Sequence, residues 1–329
     1  MKSELLAVVI ICAAANPLPA QTAWKTPKTP WGDPDLQGVW PSSSMLMTPL
    51  ERDPKLGARN VLTDQEYRVK AMMSKVIKNG LEGATPSPRV NIGAGWADYG
   101  VPDRQASLVI DPPDGRIPPL TPEAQQREAL RLSHYKVKHN APDTWEDLTM
   151  WERCISLGVV GSVLPLVYNH GNQIVQSPGY VVFRNEMVHE ARIIPVNGAK
   201  HIAPAIRQYM GDSIGHWEGS TLVVETTNFN GKAVIGMGGG FEGAGTLPTE
   251  SLQITERFNR TDERTIAYRA TIEDPNTWTK PWTIEFPLRK DDSYNTLYEY
   301  ACHEGNIFMY DVLSGARAQE KPDEGAAAK

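Results

Sequence analysis

The chain has 329 residues, enough for one large or two modest domains, and its 40% hydrophobic and 22% charged content is that of an ordinary globular protein. A formal net charge of −6, with no run of Lys and Arg, excludes a nucleic-acid binder, which needs cations to replace phosphate counterions. The 26 Pro and 27 Gly favour short elements and many turns over long helices.

At the N-terminus Lys2 precedes an apolar run from Leu5 to Ala15. Spanning a bilayer takes about 20 residues, so the run is short for that. It predicts an export signal over residues 1–20, cut after Ala20 or Ala15, and a periplasmic or secreted mature protein; an uncleaved membrane anchor is the alternative. No other segment is long and apolar enough to span a membrane once the signal is removed. Loss of the signal takes Cys12 with it and leaves Cys154 and Cys302, an even pair in an oxidising compartment. A bridge between them would stabilise by ~4–5 kcal/mol on the chain-entropy account. The other outcome is two buried thiols that never meet.

Residues 21–150 read as an extension with two helices and a first strand. Gly38-Val-Trp40 looks like a strand start. Thr63 with Glu66 three residues on makes a capping box for a helix running to about Lys78 and stopping at Asn79-Gly80. Residues 81–105 have no periodicity and read as loop. Ala106 to Ile110 is a short strand, and Asp111-Pro-Pro-Asp-Gly115 a turn. Thr121-Pro122-Glu123 opens a second helix, with Pro at the first helical position, that continues to about Lys138. Thr149 to Ile155 suggests a short helical turn.

Residues 151–318 change to strands: Gln173–Gln176, Tyr180–Phe183, Val188–Pro195, His216-Trp217, Thr221–Thr227, Leu252–Phe258, Thr265–Ile272, Trp282–Leu288 and Leu297–His303. Asn197-Gly198 and Glu218-Gly219 are hairpin signals. Short connectors require antiparallel neighbours, and many regularly spaced strands suggest a barrel or sandwich. Residues 319–329 read as a disordered, charged tail.

In Leu297–His303 and its continuation, period-two alternation places Leu297, Glu299, Ala301 and His303 on one face and Tyr298, Tyr300, Cys302 and Glu304 on the other. Both faces are mixed, which predicts a wet, functional barrel interior. In Leu252–Phe258, Glu256 shares the apolar face with Leu252, Ile254 and Phe258, where an unpaired carboxylate is costly. Glu225 lies with Val223. If these strands are neighbours, Glu225, Glu256, Glu299 and His303 converge on one cavity suited to acid–base catalysis. The competing reading is a buried salt bridge from Glu256 to Arg257, Arg269 or Arg192, or faces misassigned by a one-residue slip. Catalytic roles are therefore expected for His303, Glu256 and Glu299, and substrate contacts for Tyr168, His189, Arg207, His216 and Glu225.

Two sharper motifs fail. Gly238-Gly-Gly-Phe-Glu-Gly243 satisfies G-x-G-x-x-G but opens no helix, so a Gly-rich loop at a barrel rim fits better than a dinucleotide site. His189-Glu190 and His303-Glu304 begin like the zinc-protease motif, but the fourth position on is Ile193 or Ile307. No metal and no cofactor is expected.

Several strings resemble a family of secreted bacterial proteins of uncharacterised activity: Trp31-Gly-Asp-Pro-Asp-Leu-Gln-Gly-Val-Trp40, Asp111-Pro-Pro-Asp-Gly-Arg-Ile-Pro118, Trp151-Glu-Arg-Cys154, Met210-Gly-Asp-Ser213, Trp217-Glu-Gly219 and Tyr298-Glu-Tyr-Ala-Cys-His-Glu-Gly-Asn306. Gly38-Val-Trp40 is also similar to the Gly-x-Trp opening of lipocalin-like (calycin) barrels. The expected fold is mainly β, an antiparallel lipocalin-like barrel with an N-terminal helical extension. The expected function is that of a cofactor-independent lyase, isomerase or hydrolase acting on a small organic or sugar-derived molecule. The alternative is a non-catalytic binding protein for a small apolar ligand.

Overall fold

Alternating burial along the strands sets the architecture. The computed structural model describes residues 24–82, 100–138, 141–166, 168–236, 245–292, 294–304 and 306–320. The export signal (1–20), the Gly-rich string (238–243) and most of the expected tail (321–329) lie outside the described residues. In chain order the elements are β1 (Gly38–Val39), α1 (Asp64–Glu82), β2 (Val109–Asp111), α2 (Pro122–Lys138), β3 (Asn172–Ser177), β4 (Tyr180–Asn185) and β5 (Ala191–Pro195). They continue with β6 (Asp212–Glu218), β7 (Thr221–Thr227), β8 (Gln253–Arg260), β9 (Thr265–Glu273), β10 (Trp282–Arg289) and α3 (Phe308–Glu320).

The strands form two antiparallel sheets, β1-β3-β4-β5 and β2-β10-β9-β8-β7-β6. The chain is mainly β, as expected, but no closed barrel is present among the described residues. At one seam Gly215 of β6 lies against Ile194 and Val196, where an added Cβ would come within 3.1 Å of either side chain, yet no ladder joins β5 to β6. The chain between them does not turn back at Asn197-Gly198. It makes an excursion instead, held by the Asp212 carboxylate (from His201 Nδ1, 2.7 Å, and the Ile202 amide, 3.1 Å) and by Asn228 Nδ2, which donates to the carbonyls of Ile202, Ala203 and Ile206.

The local signals that need only neighbouring residues hold. Glu66 accepts from the Thr63 amide at 2.8 Å and the Glu66 amide donates back to Thr63 Oγ1 at 3.3 Å, closing the capping box of α1. Asn79-Gly80 does not end α1, which runs on to Glu82. This helix turns a polar face inward. Lys70 Nζ donates to Thr48 Oγ1 and to the Asp103 and Gln105 carbonyls, and burial pulls its pKa down to about 8. Val69, Met72, Met73 and Val76 face out. The Thr121 hydroxyl caps α2 through the Ala124 amide, and Glu218-Gly219 closes the β6–β7 hairpin.

The interior is filled with side chains. Registered rows run across the larger sheet: Leu222 opposite Phe258, Phe258 opposite Tyr268, and Tyr268 opposite Phe286. From the facing sheet Phe183 packs on Phe258, giving successive ring contacts of 5.2, 5.1 and 5.2 Å along Phe183, Phe258, Tyr268 and Phe286. The neighbouring row carries Val224, Glu256, Ala270 and Ile284. Glu256 is fully buried, and the small Ala270 beside it leaves room for a partner. That partner is Arg192 of β5, whose Nη1 and Nη2 donate to the two Glu256 oxygens at 2.6 and 3.0 Å, while the Tyr268 hydroxyl donates to Oε1 at 3.1 Å. The Arg192 guanidinium also lies 5.4 Å from the Phe183 ring centroid. A bidentate ion pair thus joins the two sheets through the core.

The expected strand Leu297–His303 is not a strand. Its polar backbone groups are met by side chains and loops rather than a ladder. The Tyr298 amide donates to Glu186 Oε1 at 3.0 Å, the Tyr300 carbonyl meets His189 Nδ1 at 2.9 Å, and Cys302 is bonded to Cys154. On the side of β10 away from β9, β2 pairs with Thr283 and Ile284, and the Leu108 and Pro41 carbonyls accept from the Glu285 and Arg289 amides, so that edge is occupied. The disulfide links residues 148 apart in sequence. The segment then enters α3, so residues 151–318 hold a helix as well as strands, and residues 319 and 320 belong to that helix rather than to a tail.

Removing one partner of the inter-sheet pair leaves a buried, uncompensated charge. Glu256→Gln is expected to lower unfolding stability by ~3–5 kcal/mol in denaturant titrations. A loss below about 1 kcal/mol would mean that the pair does not join the sheets.

Candidate functional site: two depressions around the Trp151 loop

The expected catalytic group does not assemble. Glu256 sits in the core, bonded to Arg192. Val224 is opposite Glu256 while Glu225 is opposite Thr255, so Glu225 points to the outer face and is exposed. Glu299 and His303 are exposed on the irregular C-terminal segment. Among the expected substrate contacts, Arg207 is a structural peg, donating to the Phe229 and Glu250 carbonyls and pairing with the Glu250 carboxylate at 3.1 Å. His216 is exposed and meets Glu218 at 3.3 Å.

A different subset does meet. Tyr168, Glu299, Cys154 and Cys302 line one groove of about 580 Å³. Beside it, His189 contacts His303 edge-on with ring centroids 5.8 Å apart. Disulfide and loop bonds, not strand pairing, bring these residues together. A small second core supports them, made of Leu157, Leu166, Met187 and Val188 with Trp151, Tyr168 and Tyr300 against it. Backbone strain gathers here too: Cys154, Asn169, Val188 and His189 all have positive φ, between 47° and 60°. For β-branched Val188 that is a costly conformation, and such residues concentrate at functional sites.

Trp151 also lines a second, more enclosed cleft of about 210 Å³. Its apolar body comes from Leu148, Met150, Trp151, Leu157, Val234 and Leu247. Helix α2 builds one wall and holds the far one in place. Arg127 Nη2 donates to the Leu247 carbonyl, Arg131 Nη2 to the Gly245 carbonyl, and Glu128 accepts from the Leu247 amide.

Two pairs of proton-handling groups border this cleft. On α2, His134 Nε2 lies 2.5 Å from Asp147 Oδ1; the histidine side chain is 59% exposed and the aspartate 9%. Asp147 is fixed by its other oxygen, which accepts from the Asp143 and Thr144 amides at 2.9 and 3.0 Å. Burial pushes the Asp147 carboxyl up, but the Thr144 amide, the His134 ring and the Asp143 amide together hold it below its ordinary value, so it remains a carboxylate. The second pair joins a buried serine to a half-buried glutamate. Ser156 lines the cleft and its hydroxyl donates to Glu190 Oε2 at 2.8 Å. Burial raises the Glu190 carboxyl above its ordinary value against the opposing Ser156 hydroxyl, Leu157 backbone, Arg192 and His189.

None of these four residues is among the site residues expected from the sequence, where Glu190 figures only in the failed zinc-protease string. His134 and Asp147 are 13 residues apart, on a helix and the turn beyond it. The one local signal was the Thr144 capping box, in which Asp147 takes the acidic position. Among the described residues no group of three or more His, Cys, Asp or Glu is placed to hold a metal ion, and no helix is long and apolar enough to cross a membrane.

His170 is buried; its ring stacks on Tyr294 at 5.4 Å, and it is hydrogen-bonded to the Leu166 backbone. Burial pulls its pKa from 6.5 down to about 4. The folded ring stays neutral while the unfolded one takes up a proton, so stability is complete above about 6.5 and is lost as the pH falls towards about 4. His170→Phe keeps the stack and removes the titrating ring, at the cost of the bond to the Leu166 backbone. The variant should lose less stability than the parent between pH 6.5 and 4. An unchanged pH slope would refute this assignment.

No family model matches the chain, and neither do any curated protein or solved structure.

Proposed function

We propose that the protein is an exported enzyme of the lyase, isomerase or hydrolase type, whose acid–base chemistry takes place in the cleft between α2 and the Trp151 loop. One observation carries this reading: two proton-handling pairs in contrasting environments border a single apolar cleft. Acid–base catalysis needs groups whose surroundings separate their proton affinities. His134, oriented by a pinned carboxylate and open to solvent, is suited to take a proton and exchange it with water. The half-buried Glu190, reaching the cleft through the Ser156 hydroxyl, is suited to hold a proton and return it. A substrate proton passes to His134, and Ser156 delivers a proton to the product while recovering one from Glu190. At about 210 Å³ the cleft is smaller than the ~300–1,000 Å³ typical of drug-sized ligands, which favours a small organic substrate.

Export is supported by the apolar run before residue 20 and by the bridge between Cys154 and Cys302, since such bonds persist in oxidising compartments. The lipocalin-like reading is supported by Gly38-Val-Trp40. The Trp40 ring lies beneath Lys290 Nζ at 4.6 Å and the Arg260 guanidinium at 5.4 Å, and Gly38, at φ +135°, leaves space that a Cβ would take from Lys290. The ligand of this reading nonetheless sits outside the packed sheets.

The apolar body of the cleft favours a second reading, a carrier that binds without turnover. The two separate in one experiment. The purified protein and its His134→Ala and Glu190→Gln variants are incubated with a small-metabolite extract in D2O and followed by mass spectrometry. The enzyme reading predicts consumption or deuterium labelling of one compound class, reduced ~10²–10⁴-fold in both variants. Retention of a compound without turnover would favour the carrier, and turnover undiminished in His134→Ala would contradict the proposed site.

A further inference from the structure

The groove on the other side of Trp151 has a chemistry unlike that of the cleft. Its rings are Trp151, Tyr168, Tyr300 and Phe308, its charged residues are Glu152 and Glu299, and among the described residues no Lys, Arg or His lines it. We propose that this groove is a binding site for a small organic cation, a quaternary ammonium or an alkylated amine.

The argument is electrostatic. Aromatic faces are negative, and a cation within ~6 Å of a ring centroid is attracted to each face it meets, more so as water is excluded. Carboxylates at the edge add a net charge of the matching sign. An anion would meet like charge at Glu299 and at Glu152, whose Oε2 accepts from the Thr149 amide and hydroxyl, and a neutral apolar molecule would desolvate Glu299 without return. The α3 N-terminus also reaches this groove through Asn306 and Phe308 and favours the opposite charge, at about +0.5 of an elementary charge. Two full carboxylates outweigh it, and Asp311 in the first turn of α3 neutralises it further. The nearest cation in sequence, Arg153, is engaged over the Trp145 ring at 4.3 Å.

The rings are also held in position before any ligand arrives. Tyr168 and Tyr300 are hydrogen-bonded to each other, and Tyr300 also interacts with Trp151. Cys302 ties the Tyr300 wall to Cys154, and Asn306 Nδ2 donates to the Glu152 carbonyl at 3.3 Å. Buried Glu186 anchors the approach to that wall by accepting from Asn169 Nδ2, the Tyr298 amide and the Tyr294 hydroxyl. A site built in advance loses less freedom on binding. This proposal rests on the groove alone and is independent of the acid–base cleft.

The probes are choline, tetramethylammonium and the neutral isostere of choline, 3,3-dimethylbutan-1-ol, titrated at pH 8 into the oxidised full chain by calorimetry and amide NMR. The expected result is saturable binding of both cations, with choline at least about tenfold tighter than the isostere. Amide shifts should centre on Ala301, Cys302 and Asn306. Phe308→Leu keeps an apolar side chain on a partly exposed position but loses the ring face, and Glu299→Gln keeps the shape but loses the charge. Each should weaken choline binding about fivefold while the melting temperature is retained. Equal affinity for choline and its isostere would overturn the proposal, as would shifts centred elsewhere or the absence of saturation.

Discussion

The bidentate pair between Arg192 and Glu256 is the constraint on which the architecture turns. Two small antiparallel sheets share one interior, and no ladder joins them across the β5–β6 seam. The pair crosses that interior, with Tyr268 completing the hydrogen bonding of the carboxylate and Phe183 lying under the guanidinium. A buried ion pair of this kind contributes little net stability against a well-packed apolar equivalent, because both charges must be desolvated. Its effect is to fix which faces meet. Any slip of one residue in β5 or β8 would strand a charge in hydrocarbon, so register and sheet orientation are set together.

Among the described residues this interior is filled with side chains, and the two depressions around Trp151 lie outside the sheets. There the loop from Thr149 to Leu157 separates two depressions with Trp151 between them. The same loop carries Cys154, so the disulfide draws the C-terminal segment onto it and converts an irregular stretch into a wall. Rigid sheets beneath and tethered loops above form the usual division between scaffold and site. The strained φ values at Cys154, Asn169, Val188 and His189 fall in this tethered layer rather than in the sheets.

What the sequence reveals follows from how far a signal must reach. Thr63 with Glu66, and Thr121 with Pro122, set helix starts through contacts of three or four residues, and both starts are where the sequence places them. The Glu218-Gly219 hairpin is equally local. The apolar face of Glu256 was legible from alternation, and Arg192 was among its three foreseeable partners; choosing between them required knowing which sheet faces which. Leu297 to His303 misled because alternation alone cannot show whether a free strand edge is waiting. With β10 flanked on both sides, the segment bonds instead through Cys302, Tyr298 and the Tyr300 carbonyl. Helix α3 follows Ile307, an apolar residue that gives no capping signal in the sequence. His134 and Asp147 are joined only when α2 and the following turn fold against each other, and Ser156 and Glu190 only across the second core.

The account as a whole requires that small molecules enter beside the Trp151 loop and not between the sheets. Methyl-resolved NMR of the full chain during titration with small aromatic and aliphatic probes tests this most directly. Shifts are predicted at Leu148, Met150, Leu157 and Leu247, with Ile254, Ile266 and Ile272 in the core left unmoved. Saturable shifts at those core isoleucines, with the cleft methyls unchanged, would contradict it.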